Sequence, residues 1–219
     1  MPEQNQHNLF EELLNQDESL TEKQKKILES AIEIFAEKGY SATSTNEIAK
    51  KAGVAEGTIF RHYKTKKDLL LSIVAPTMAK LVAPFVIKDL NKVLDTKYET
   101  YEAFLKALIL NRQAFLKENM AAFRILIQEI PFHPELKEQF KEHIANKLFE
   151  RVQRIIEHYQ ELGQVISMPS QAVLRFTLSS IFGFLIARHL LLPEADWDNE
   201  KEIEYTIHMI MNGVKASSI

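Results

Sequence analysis

Residues 44–63 read STNEIAKKAGVAEGTIFRHY, and the reading of this stretch decides the fold. Ser44 with Glu47 three residues later is a capping-box pattern, in which each side chain satisfies a backbone N–H that the first helical turn leaves unpaired. A short helix is expected to follow, with Ile48, Ala49 and Ala52 turned inward, and Gly53 makes the turn. A second short helix runs from about Ala55 to Tyr63, where Ile59 and Tyr63, at i and i+4, share a face. Two such helices joined by Ala52-Gly53-Val54 have the spacing of a helix-turn-helix, whose second helix enters the DNA major groove.

The flanks carry the same kind of local code. Upstream, Thr21 with Gln24 is another capping box, and Ile27, Ala31 and Phe35, with Leu28 and Ile32 beside them, form one apolar face at helical spacing. Gly39 is placed as a left-handed stop, with Tyr40 available to pack back on the helix end. Downstream, Thr65 with Asp68 caps a fourth helix, whose Leu69, Leu70 and Ile73 pack on the first three. Caps, stops and apolar faces that agree over so short a span make this the best-specified part of the chain.

Beyond it the pattern remains helical. Pro76 and Pro84 interrupt the apolar repeat that continues from the fourth helix, so a kink or break is expected there. A helix over 100–118 carries Tyr101, Phe104, Leu108 and Phe115, and a shorter one with Phe123, Leu126 and Ile127 ends before Pro131. The longest regular pattern, 134–161, has Leu136, Phe140, Ile144, Leu148, Val152, Ile155, Tyr159 and then Leu162 in phase, with Gly163 as its stop. Pro169 marks another start. The helix from there to about Leu192 is apolar on both sides, with Leu174, Leu178, Ile181 and Leu185 on one and Phe176, Ser179, Ser180, Gly183 and Ala187 on the other. The small stripe Ser179, Gly183 and Ala187 admits close approach of another helix, and a subunit copy is the simplest partner. A last helix from about Asp198 aligns Ile203, Ile207, Ile210, Met211 and Val214. There is no strand pattern and no internal repeat. The expected fold class is all-α, divided into an acidic N-terminal arm (1–20), a helix-turn-helix DNA-binding domain (21–75) and an effector-binding and dimerisation domain (76–219).

Composition is consistent with this reading. Of 219 residues, 46% are hydrophobic and 26% charged, as in ordinary globular chains. The absence of Cys excludes disulfides, thiolate metal sites and cysteine nucleophiles. No basic, apolar leader is visible at the N-terminus. The most membrane-like stretch, Phe176–Leu192, has an uncharged core of only 12 residues before Arg188. A span needs about 20, so a buried helix, no membrane and a cytoplasmic location are expected. The net charge of −3 is unevenly spread: −5 over residues 1–20, +3 over 21–75 and −1 over the remainder. A locally basic module on an acidic body suits specific, salt-sensitive DNA binding.

Gly39-Tyr40, Thr43-Ser44-Thr45, Ile48-Ala49, Ala52-Gly53-Val54, Gly57-Thr58, His62-Tyr63, Lys64 and Lys66 together resemble the tetracycline-repressor (TetR/AcrR) family of bacterial transcription regulators over about residues 22–70. The resemblance implies a helical ligand-binding body, a homodimer formed largely by the last two long helices, and release of operator DNA on binding a small effector. By position it implies that Thr45 and Lys66 contact phosphates, that Gly57 allows close backbone approach, and that Thr58, Arg61 and His62 face the groove. The chain departs from the family pattern at Phe60, where Tyr is common, at Tyr63, where Phe is usual and a hydroxyl is retained, and at Ala55, which replaces a capping Ser.

The candidate DNA-binding residues are therefore Ser44, Thr45, Ala55, Glu56, Gly57, Thr58, Phe60, Arg61, His62, Tyr63 and Lys66. Arg61 can bond guanine O6 and N7 together, or contact phosphate only; Glu56 can accept from cytosine N4 or repel wrong sequences. Candidate effector-binding residues are Phe104, Leu108, Arg112, Phe115, Phe123, Ile127 and Leu178, with Asn111, Gln128, Arg175 and His189 as further polar groups and Phe132 as a further aromatic. An aromatic stripe of this kind is more often core than pocket. The dimer interface is expected at Phe176, Ser179, Ser180, Gly183, Ala187, Ile203, Ile207 and Ile210. The implied partners are a double-stranded, inverted-repeat operator, read by two heads about 34–36 Å apart, a small and largely apolar effector, and a second copy of the chain. No His pair has metal-ligand spacing and no phosphate loop or nucleophile motif is present, so no metal, cofactor or catalytic residue is expected. Two other readings stay open from sequence: a helical protein-interaction module that uses DNA for localisation, and a haem- or metal-responsive regulator.

Overall fold

The computed structural model describes residues 20–77, 83–142 and 146–214. Leu20 apart, the acidic arm expected over 1–20 lies outside them. The described residues are helical, without a strand: α1 (Glu22–Lys38), α2 (Thr45–Ala52), α3 (Glu56–His62), α4 (Lys66–Thr77), α5 (Ala83–Leu94), α6 (Tyr101–Glu118), α7 (Met120–Glu129), α8 (Pro134–Phe140), α9 (Asn146–Glu161), α10 (Ser170–Ile186) and α11 (Asn199–Val214). A 3-10 turn at Ile130–Phe132 follows α7, and a π turn at Ala187–Leu191 extends α10. The packing gives two compact units, Met1–Phe85 with Glu118–Ile144, and Val86–Lys117 with Ala145–Ile219.

In the first unit, α1 to α4 pack around Ile27, Ile48, Ile59, Leu69 and Leu70, all with no exposed surface. Burying each of these contributes about 1.5–3 kcal/mol, enough to hold helices of seven and eight residues that are too short to persist alone. Both capping boxes form as the sequence predicts. Gly53 takes the left-handed conformation (φ 67°, ψ 32°). Gly39 has positive φ but extended ψ (80°, 159°), so α1 ends with the chain leading straight out rather than hooking back. Tyr40 still packs on Phe35, ring centroids 5.6 Å apart. In the same unit α7 packs along α1, and α8 lies against α4. Pro76 lies near the end of α4 and Pro84 near the start of α5, and residues 78–82, where the expected break would fall, lie outside the described residues.

The second unit is built on α6, whose Tyr101, Phe104, Leu105, Leu108 and Ile109 are buried together with Val152, Ile156 and Tyr159 of α9. The Tyr101 and Thr177 hydroxyls hydrogen-bond at 3.2 Å in this core, and burial pushes the phenol up to about 12. Three expectations are corrected. The pattern over 134–161 is two described helices, α8 and α9, with a π turn opening at Lys141, and Leu162 is exposed because α9 has ended at Glu161. The stretch Ser170–Leu191 is 22 residues, with a window of mean hydropathy 1.4, long and apolar enough by composition to cross a membrane. It is not buried all round: Val173, Leu174, Thr177, Ile181 and Leu185 face the core, while Phe176, Phe182 and Gly183 are exposed. Finally, Ile203, Ile207 and Ile210 are the core face of α11 and take no part in an outward interface; Tyr205 and Met209 occupy its exposed side.

Candidate nucleic-acid interface

The helix-turn-helix is braced by polar contacts that its sequence only partly announces. At the start of α2, Ser44 Oγ accepts from the Glu47 N–H at 3.2 Å, and the Ser44 N–H donates to Glu47 Oε2 at 3.1 Å. The other carboxylate oxygen of Glu47 accepts from Lys38 Nζ at 2.8 Å. The Lys38 ammonium, and then the Ser44 N–H, hold the Glu47 carboxyl at about 2. One side chain thus caps α2 and ties it to the end of α1.

Helix α3 begins at Ala55 without a side-chain cap, as expected from the missing Ser. Its first residue, Glu56, instead reaches back to α2: Thr45 Oγ1 donates to Oε1 at 2.6 Å and Asn46 Nδ2 to Oε2 at 3.2 Å. These two bonds, Thr45 first, hold Glu56 below the usual carboxylate range. Both its oxygens are engaged, so Glu56 ties the start of α3 to the start of α2, a role its sequence position did not announce. The Thr45 hydroxyl proton goes to Glu56, which leaves its backbone N–H at the start of α2 for a phosphate.

Lys66 has a bracing role that its sequence position did not announce. Its ammonium donates to the carbonyl oxygens of Tyr40 and Thr43 at 2.8 and 2.7 Å and sits 4.3 Å from the Tyr40 ring centroid. Two of its three donors close the α1–α2 connection, and one is left for a phosphate. Tyr63 is buried, with Ser72 as its hydroxyl's partner and burial raising its pKa, so it supports α3 from beneath rather than reaching outward.

The outward face that remains is compact. Phe60 is 47% exposed, Arg61 and His62 are exposed, and Thr58 is half-buried beside them. A methyl-sized group added at Gly57 would meet nothing within 4 Å, so no contact inside the chain explains the glycine. Ser44 and Ala55 are exposed at the starts of the two helices, and Lys50 and Lys64 add unpaired positive charge to the surface among the described residues.

Two family models match this chain: bacterial regulatory proteins of the tetR family over residues 27–73, and the C-terminal domain of AefR-like transcriptional repressors over residues 105–211. The chain belongs to the TetR family. It is a DNA-binding transcriptional regulator with an N-terminal helix-turn-helix and a helical C-terminal domain. An HTH-type transcriptional regulator of Bacillus subtilis (strain 168), YvkB, is 26% identical over 196 residues, 88% of this chain and 97% of that one. The fold is shared with the regulator FadR from Bacillus subtilis in complex with stearoyl-CoA (TM-score 0.62, 21% identity, covering 86% of this chain and 97% of that chain). It is shared too with a transcriptional regulator from Saccharomonospora viridis in complex with choline (TM-score 0.64, 17% identity, 89% and 98%).

In this TetR-family chain two cavities are enclosed by described residues, and the expected effector residues among their lining fall in different units. Phe104 lines a cavity of about 670 Å³ in the second unit, and Ile127 lines one of about 620 Å³ in the first, beside Tyr40 and His133. Leu108 is core, Leu178 is half-buried, and Phe123 and Phe115 are half-buried on different units. Arg112 is corrected to an internal brace: it donates to Asp89 at 2.6 Å and to Asn111 Oδ1, and stacks 4.7 Å over Phe115. Burial pulls its pKa to about 10 against the opposing pull of Asp89. Asn111 also donates to Asp89, at 2.9 Å, while Arg175 is exposed and Phe132 is 79% exposed. Of the expected dimer residues, Phe176, Ser179 and Gly183 are exposed, and Ser180 and Ala187 are half-buried.

Proposed function

We propose that this TetR-family regulator is a cytoplasmic homodimeric repressor that leaves an inverted-repeat operator when a small, largely apolar effector occupies its helical body. The observation that carries the reading is the exposed face of α3, with Phe60, Arg61 and His62 set around Gly57 on a helix locked to α2 through Glu56. Arg61 bonds guanine O6 and N7, and Phe60 packs on a thymine methyl, where the hydroxyl of the more common Tyr would have reached a phosphate. Ser44 and the backbone N–H groups at the starts of α2 and α3 meet phosphates, which position the head without reading sequence.

The exposed apolar side of α10 and α11 supports a dimer, because a face of that kind on a single chain calls for a partner. The ligand complexes of the two similar folds, with stearoyl-CoA and with choline, support an effector-bound state. Release requires that the effector bind the DNA-incompetent arrangement more tightly than the competent one. The test is fluorescence anisotropy with fragments from the DNA flanking its own gene. A fragment should bind at least about a thousandfold more tightly than random DNA at physiological salt. Arg61→Ala should erase about 1–3 kcal/mol of that discrimination at one base pair per half-site. Equal binding of all fragments, or full discrimination by Arg61→Ala, would overturn the reading.

A further inference from the structure

The cavity of about 670 Å³ in the second unit lies where the end of α5 and residues 95–98 meet α6 and α9. Its size is that of a small-molecule site, about 300–1,000 Å³. The inner wall is aromatic. Phe104 and Tyr159 are both buried there, their rings 6.5 Å apart, and Tyr98 stands 6.0 Å from Phe104. The Tyr159 hydroxyl donates to the Tyr98 carbonyl at 2.8 Å, which fixes the wall, and half-buried Tyr98 and Ile155 form the surface it presents.

The rim is basic. Arg151, Arg154, Lys97 and His158 line it against a single acid, Asp95. Arg151 is already held by Asn91 and Asp95, which neutralises that carboxylate. Lys97 and Arg154 make no ion pair or hydrogen bond among the described residues, and both are exposed. The acid nearest Arg154 along α9, Glu157, accepts from Gln153 and Ser170 at 2.9 and 2.8 Å instead. Arg154 acts on Glu157 only through its charge. An aromatic recess with two exposed cations at its mouth, neither held by a hydrogen bond, is complementary to a flat apolar body bearing one anionic group. A guanidinium holds a carboxylate or a phosphate through two parallel bonds.

We infer that this cavity binds a small aromatic anion, its ring against Tyr98 and Ile155 in front of Phe104 and Tyr159, and its carboxylate or phosphate on Arg154 and Lys97. The inference goes beyond the repressor reading, and ligand binding is measured without DNA, so either can fail alone. Isothermal titration of the full chain with 2-naphthoate, 2-naphthyl phosphate and the neutral 2-naphthamide provides the test. At least one anion should bind with a dissociation constant of about 1 mM or tighter and about tenfold more tightly than the amide. Which anion binds better separates the two headgroups. Arg154→Gln should weaken it about tenfold, with an unchanged melting temperature. Arg175→Gln, an exposed arginine on α10 outside the cavity, should change nothing. No binding by either anion, equal binding of the amide, an unaffected Arg154→Gln, or an equal loss in Arg175→Gln would each overturn it.

Discussion

Lys66 holds Tyr40 by two separate means: its ammonium donates to the Tyr40 carbonyl at 2.8 Å and lies 4.3 Å from the centre of the Tyr40 ring. The same ammonium reaches the Thr43 carbonyl, so the first residue of α4 closes the connection from which α2 departs. Lys66→Ala leaves two part-buried carbonyls without a charged donor, and the loss should cost about 1–3 kcal/mol in a urea melt. Binding should weaken on every DNA sequence. Removing a phosphate contact lowers the slope of log K against log salt by about 0.9. A brace lost within the protein leaves it nearly unchanged, and that smaller change is the expected result.

The sequence exposed the backbone of the head but not its cross-bracing. Caps at Thr21, Ser44 and Thr65 and the turn at Gly53 are written in residues three apart, and they form as read. The bonds from Glu56 to Thr45 and from Lys66 to Tyr40 join positions 11 and 26 residues apart, and only the folded chain brings them together. In the second unit the period placed the helices but not their faces. The α11 pattern Ile203, Ile207, Ile210 reads equally as an interface stripe or as a core stripe, and packing within the unit made it core. Conversely, Phe176 and Phe182 carry no signal of exposure in their own spacing.

Glu56 supplies a prediction whose sign separates two roles. Removing a negative charge from a DNA-facing surface should tighten non-specific binding by charge alone. If Glu56 fixes α3 to α2 through Thr45 and Asn46, Glu56→Ala should instead weaken operator binding. The ratio of operator to random-sequence affinity should then fall at least about tenfold, one step of 1.4 kcal/mol. Competition titrations at fixed salt give that ratio directly.

Gly57 separates folding from binding. A methyl group there meets no atom of the chain within 4 Å, and the residue lies in the first turn of α3. Gly57→Ala should leave the melting temperature unchanged or raise stability by up to about 1 kcal/mol, the propensity gain of alanine in a helix. Operator affinity should fall all the same, because the added group stands where DNA backbone or base edges approach. A variant that is as stable as the parent and binds as tightly would remove Gly57 from the interface.

Phe182 and Met209 test the dimer. They are 47% and 64% exposed on α10 and α11, which pack against one another in the second unit. Both side chains are exposed, so Phe182→Glu with Met209→Glu should leave helicity by circular dichroism unchanged. Sedimentation velocity should show the population shift from dimer to monomer. Operator affinity should fall with it, because one head can occupy only one half-site.

Glu47 gives the head a defined response to acid. Its carboxyl sits at about 2 in the folded chain, against an ordinary value of 4.5, chiefly through Lys38. A depressed carboxyl stabilises the fold fully above the unfolded value, and that contribution fades as pH falls through the folded one. Glu47→Gln loses the Lys38 pair and the charged cap together. The melting-temperature gap between parent and variant should therefore be constant above pH 5 and close between about pH 4.5 and 2. Because the pair is open to solvent, 1 M salt, with a screening length of about 3 Å, should narrow the gap at neutral pH as well. A gap that persists unchanged at both low pH and high salt would assign the effect of Glu47 to its hydrogen bonds with Ser44 alone.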